Sequence, residues 1–195
     1  MTALPYRPNI SVEEYLQRDR DSIELRYEYI DGYLRMLAGG TLNHATISLN
    51  VARVLHGLLH GSSCRVFNSD ARVRLSETRF VYPDVTVSCD GRDRGEIDYI
   101  QYPRLVVEIL STSTEDYDRG RKFTYYRECP TIQEYVLINA THQAVEVCRR
   151  ERNDLWILQV FGPDSNVELV SLGVHFPISA VYEEVVFPAG DNQPA

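Results

Sequence analysis

Residues 80–88, FVYPDVTVS, and 104–110, RLVVEIL, decide how this chain is read. Both are short, rich in β-branched residues and without helical periodicity, so each predicts a strand. The second is nearly continuous in apolar residues, as expected of a strand covered on both faces. Each carries one acid in an apolar setting: Asp84 in the first, Glu108 in the second. An ionised carboxylate there is costly unless it is paired, hydrogen-bonded or bound to a cation. Neighbouring strands lie about 5 Å apart, so two such acids on paired strands can reach one ion. The competing structural reading is a pair of buried acids neutralised by arginines.

Upstream, Ile47, Val51, Val54, Leu55 and Leu58 recur at helical spacing and predict a helix over about residues 43–60. His44 lies one turn earlier on the same stripe. Residues 65–75 alternate, Ala71, Val73 and Leu75 against Asp70, Arg72 and Arg74, which predicts a half-exposed strand. Ser11-Val-Glu-Glu14 is a capping-box pattern for a short helix over 11–18, and Asp31-Gly32 divides 24–38 into a hairpin. Downstream, Ser113 or Thr114 can cap a helix over 115–128, stopped by Cys129-Pro130. A strand over 132–139 follows, then a meander over 144–149, 155–161 and 166–170, and an amphipathic piece near 178–186. The order predicts one α/β (α+β) domain over 1–188 with a loose tail at 189–195. Its core is helix, three strands, helix, strand, with an added N-terminal hairpin and C-terminal β-meander.

The 195 residues, 44% hydrophobic and 25% charged, exclude a disordered or collagen-like chain. No stretch approaches the roughly 18 apolar residues of a membrane-spanning helix, and the N-terminus lacks the apolar region of a secretory signal. The cysteines (Cys64, Cys89, Cys129, Cys148) lack the C-x-x-C spacing of a zinc site and read as reduced thiols of a cytoplasmic protein. A formal charge of −8 argues against coating nucleic acid by charge alone.

Of the 20 basic residues, all but Lys122 are arginine. Lys122 falls about two turns into the helix that follows the Glu108 strand. A buried lysine loses its proton more readily than an arginine, so it can position or deprotonate a water. The structural reading is a surface i, i+4 pair with Asp118, a role arginine would fill equally well.

Pro83-Asp84 followed by Glu108-Ile-Leu110, in this order of elements, resembles the PD-(D/E)XK nuclease superfamily. Tyr27-Glu28-Tyr-Ile-Asp31-Gly32, Asn43-His44, Tyr82-Pro83-Asp84-Val85, Leu105-Val-Val-Glu108-Ile-Leu-Ser111, Ser113-Thr114 and Asp118-Arg-Gly-Arg-Lys122 resemble the Uma family of bacterial restriction-endonuclease-like proteins. The match covers about residues 10–186. The resemblance implies Mg²⁺-dependent hydrolysis of phosphodiester bonds in DNA, with Mn²⁺ as a substitute ion. It implies that Asp84 and Glu108 hold the metal, with the Ile109 carbonyl a further ligand and Glu28 an additional acid. His44 matches the family's histidine and would contact phosphate or relay a proton, against the plain reading of a core or capping histidine. Leu110 stands where the superfamily pattern has its lysine, and the resemblance implies that Lys122 substitutes for it. Cutting both strands of a duplex generally needs two active sites, so a homodimer is expected.

Other motifs point less sharply. His56 and His60 have metal spacing but lack the glutamate of a zinc hydrolase motif, and read as a solvated helix end. Arg72 and Arg74 could position a phosphate backbone, against the default of an exposed salt-bridge face. Ser111 to Thr114 form a capping loop with no base beside them. Two other functions compete with the nuclease: a non-catalytic binding or assembly protein on the same fold, and a metal-dependent phosphohydrolase of small substrates.

Overall fold

The computed structural model describes residues 10–22, 25–37 and 39–187, so the tail expected at 189–195 lies outside the described residues. Helix α1 (Val12–Asp21) starts at the capping box: Ser11 Oγ accepts from Glu14 N, and the Glu14 carboxylate accepts from Ser11 N. Strands β1 (Tyr27–Ile30) and β2 (Tyr33–Met36) form the hairpin. Its turn residues Asp31 and Gly32 have positive φ angles of 50° and 92°, as a tight two-residue hairpin turn requires. That turn fixes the register and sets Glu28 opposite Arg35. Helix α2 (Leu42–Leu58) is capped by Thr41, whose hydroxyl accepts from His44 N. Buried Asn50 ties the C-terminal segment to α2 by donating to the carbonyls of Val181 (3.0 Å) and Glu183 (2.8 Å).

Two segments expected as single strands are each split. Residues 65–75 divide into β3 (Arg65–Asn68) and β4 (Val73–Ser76). Asn68 Oδ1 accepts from Asp70 N, a side-chain turn that breaks the strand. Residues 80–88 divide into β5 (Arg79–Val81) and β6 (Val85–Ser88) at Tyr82-Pro83-Asp84, because proline has no N–H to give the ladder. As a result β4 and β5 leave the main sheet and join the hairpin in a four-stranded sheet, β2-β1-β5-β4. This inserted pair holds the N-terminal hairpin, and Glu28 with it, against the rest of the molecule.

The main sheet adds β7 (Pro103–Leu110), β8 (Glu134–Asn139), β9 (Val145–Arg150) and β10 (Trp156–Phe161) in the order β10-β9-β8-β7-β6-β3. Strands β3, β6 and β7 are antiparallel, while β7 and β8 run parallel and are joined by a helical crossover. The expected core of helix, three strands, helix, strand is therefore present. Alternation along β7 separates two layers. Leu105, Val107 and Ile109 pack with Ile47, Val51 and Leu55 of α2, whereas Val106 and Leu110 pack with Tyr126 and Tyr135 on the opposite face. Glu108 shares this second face by the same alternation.

The C-terminal meander is shorter than expected. Strand β11 (Asn166–Leu169) pairs with β12 (Val174–Pro177) in a separate hairpin and not with β10. The amphipathic piece near 178–186 is a 3-10 turn, Ile178–Ala180, burying Ile178, Val181 and Tyr182. Among the described residues no helix is long and apolar enough to cross a membrane.

The cysteines depart from the expectation of four reduced thiols. Extending the β3–β6 register by one residue sets Cys64 opposite Cys89, and these two form a disulfide. Cys129 and Cys148 are free and buried. Strand register created this pair, and spacing along the chain does not disclose register. Thiol titration of the unreduced, denatured chain should therefore find the two free cysteines alone. Cys64→Ser should lower the stability of unreduced protein by about 3 kcal/mol. Four titratable thiols before reduction would contradict the pairing.

Candidate active site

The crossover is not a plain α-helix. Between α3 (Glu115–Tyr117) and α4 (Phe123–Glu128), residues Asp118–Lys122 form a π turn. Such a turn inserts an extra residue and redirects the side chains it carries. Here Asp118 and Lys122 both point inward, 3% and 4% exposed. Lys122 Nζ lies 2.8 Å from Glu108 Oε1, 3.0 Å from Glu28 Oε1 and 3.8 Å from Asp118 Oδ1. The chain's single lysine is thus surrounded by carboxylates from β7, β1 and the crossover itself. The Tyr126 hydroxyl donates to Glu108 Oε1 at 2.5 Å. Arg35 Nη1 lies 3.6 Å from Glu28 Oε2, and its guanidinium stacks on the Tyr117 ring at 3.5 Å.

Asp84 sits at the break before β6, not inside a strand. Its Oδ2 accepts from Ile109 N at 2.7 Å and lies 3.3 Å from His44 Nε2. One step beyond the β6–β7 register, Asp84 falls opposite Glu108. Glu28, His44, Asp84, Glu108 and Lys122 therefore gather around the C-terminal end of β7. His56 and His60 are exposed, away from this cluster.

The arginines proposed for phosphate contact are placed differently. Arg72 is buried, with Nη2 3.4 Å from Asp19 and its guanidinium over the Tyr15 ring. It offers no exposed face, because the turn after β3 rotates it into the small sheet's core. Arg74 is half-buried and donates to Ser76 O and Tyr99 Oη. Three residues of the cluster are additions to the sequence reading. Asp118 belongs to the buried site and not to a surface pair. Arg35 was legible from the hairpin register. Tyr126, one helical turn beyond Lys122, carries no signal for the site in the sequence.

Burial, reinforced by the charges of Asp84, Asp118 and Glu28, pushes the Glu108 carboxyl up to about 8 despite the opposing Lys122 ammonium. Burial also raises Asp118, again against Lys122. For Lys122 burial acts downward, but Glu108, Glu28 and Asp118 outweigh it and hold the ammonium well above its ordinary value. In this geometry the neighbouring carboxylates hold Lys122 as a cation. His44 behaves alike: burial lowers it, and the hydrogen bond and charge of Asp84 raise it further.

The residues that could contribute oxygens to a hard divalent cation are Asp84, Glu108 and Glu28. Both oxygens of Glu28 are buried, lack a hydrogen bond and face the Lys122 and Arg35 cations. Lys122, Arg35 and His44 offset three of the four acids, and the proton held on Glu108 offsets the fourth. Among the described residues no group of three or more acidic, histidine or cysteine side chains is placed to hold a metal ion. That is compatible with Mg²⁺, which usually takes one or two carboxylates and leaves its other positions to water and substrate.

The raised Glu108 has a measurable consequence. From an ordinary value of 4.5 up to about 8, the unfolded chain has lost a proton that the folded chain keeps. The stabilisation is complete below that window and is lost as pH rises through it. Urea unfolding should find wild type and Glu108→Gln similar at about pH 5, with the variant the more stable at about pH 8.5. Parallel pH profiles would contradict an under-compensated buried acid.

Residues 12–179 match the model of the Uma2 family, described as "Putative restriction endonuclease". Two uncharacterized proteins of Synechocystis sp. are similar over most of their length. One, slr1290, is 36% identical across 92% of this chain and 95% of its own. The other, sll1609, is 31% identical across 82% and 92%. A crystal structure of "a putative nuclease belonging to DUF820" from Anabaena variabilis superimposes with a TM-score of 0.74 at 20% identity, over 91% of this chain and 99% of that one. That likeness concerns the fold, which is mixed α/β and restriction-endonuclease-like. With the family model spanning Asp84, the Glu108 strand and the Lys122 crossover, the chain belongs to the Uma2 family.

Proposed function

We propose that this protein is a Mg²⁺-dependent endonuclease that hydrolyses phosphodiester bonds in DNA. The observation that carries the reading is the burial of Lys122 among Glu28, Glu108 and Asp118, beside Asp84. Four acids gather here against Lys122, Arg35 and His44, and the proton that burial keeps on Glu108 is one a divalent cation could displace. The family description supports nucleic acid as the substrate.

Asp84, Glu108 and the Ile109 carbonyl would hold Mg²⁺, or Mn²⁺ in its place, with Glu28 as an additional acid. When bound, the ion polarises the scissile phosphate and lowers the pKa of its water. The chain's own groups supply the positioning. Ile109 N–H and His44 orient the Asp84 carboxylate, and the Tyr126 hydroxyl orients Glu108. Lys122 offers a fixed ammonium to the attacking water or to charge developing on the phosphoryl oxygens. It would fill the role that Leu110 cannot.

Of duplex, single-stranded and branched DNA incubated with Mg²⁺ or Mn²⁺, at least one should be cut. Asp84→Asn and Glu108→Gln should each lower the rate by at least about 100-fold. Lys122→Arg keeps the charge but replaces a compact ammonium with a broad planar fork, and activity should fall; unchanged activity would refute the role of the amine. Because Glu108 carries a proton below about pH 8, Mg²⁺ binding at pH 7 should release about one proton per ion. Calorimetry in buffers of different ionisation heat reads that release. No cleavage together with no metal-binding heat would end the enzyme reading and leave the non-catalytic one.

A further inference from the structure

Strand β10 closes one side of the six-stranded sheet, and nothing in the described chain pairs with its outer edge. Residues 155–161 read LWILQVF, with no charge, no proline and no glycine. Edge strands ordinarily carry lysine, proline or a bulge that blocks pairing with another chain. Here the reverse holds: Leu155, Ile157, Leu158 and Val160 are each more than half exposed. Because side chains alternate, Ile157 is bare on one face and Leu158 and Val160 on the other.

The direction of the free backbone groups follows from the register. Glu151 N donates to Leu155 O at 2.7 Å, in line with the β9–β10 pairing of Arg150 with Trp156. Hydrogen bonding alternates along an antiparallel strand. Leu155, Ile157, Gln159 and Phe161 therefore bond inward to β9, while Trp156, Leu158 and Val160 direct their N–H and C=O groups outward. These three residues are symmetric about Leu158.

We infer that β10 is a self-pairing edge whose partner is a second copy of this chain, joined antiparallel about a two-fold axis at Leu158. The axis sets Leu158 opposite the partner's Leu158 and Trp156 opposite the partner's Val160, so every outward backbone group meets its complement. An uncharged strand also presents no like charge to its own copy, which a charged edge would. The two main sheets become one continuous sheet. The four exposed side chains bury on the order of 400 Å² per copy, about half of what a standard interface buries. The dimer is accordingly reversible, with a Kd in about the micromolar range. This geometry is independent of the nuclease reading.

Trp156 is the chain's only tryptophan, so its emission reports on this edge directly. Sedimentation and fluorescence across a dilution series should show a monomer–dimer equilibrium with a blue shift on association. Leu158→Lys sets two ammonium groups against each other at the axis and should raise Kd by more than about tenfold, without changing thermal unfolding at dilutions where the wild type is monomeric. Leu158→Glu should do the same, and mixing the two variants should restore dimers, because only a two-fold at this residue places it opposite itself. Leu49→Lys, on the exposed face of α2, should leave the dimer intact. A wild-type monomer at all concentrations, a dimer that survives Leu158→Lys, or variants that fail to rescue each other would overturn the proposal.

Discussion

One ammonium group, Lys122 Nζ, holds together three parts of the chain that are remote in sequence: the N-terminal hairpin through Glu28, the central strand through Glu108 and the crossover through Asp118. Each contact requires its own structural device. Glu28 arrives because a tight turn at Asp31-Gly32 and the inserted β4–β5 pair dock the hairpin. Glu108 is aimed at this face by the alternation of β7. Lys122 reaches inward because the crossover takes a π turn where an unbroken α-helix would direct it differently. Well-packed apolar residues often stabilise a core more than buried charges do. Under the proposed function, this cluster where two sheets meet serves a ligand.

Much of this was legible in the sequence. The capping box at Ser11, the hairpin at Asp31-Gly32 and the stripe on α2 are local signals, and each formed as its residues require. The two misplaced acids and the lone lysine were equally visible, since charge within an apolar run is a local anomaly. Their convergence was an expectation from family resemblance, and the geometry brings the same residues together. The hairpin register even held the Glu28–Arg35 pair in plain view.

What escaped is non-local. A side-chain turn at Asn68 and a proline at position 83 divide two runs that read as single strands, and only sheet assembly assigns the halves to different sheets. That assignment buries Arg72, which strand alternation alone would leave exposed. Cys64 and Cys89 meet through register across β3 and β6, invisible to spacing. The surroundings of Lys122 are equally non-local: burial alone depresses a lysine, but three neighbouring carboxylates outweigh it.

The acidic total of the chain thereby acquires a location. Part of the −8 is concentrated where a divalent cation would neutralise it, and Lys122 meanwhile carries a compensating charge. The most direct test is anomalous diffraction from a crystal soaked in Mn²⁺. The account predicts one peak in contact with carboxylate oxygens of both Asp84 and Glu108, beside the Lys122 ammonium. A crystal with no peak there, and with Lys122 still bridging Glu28 and Glu108, would contradict it.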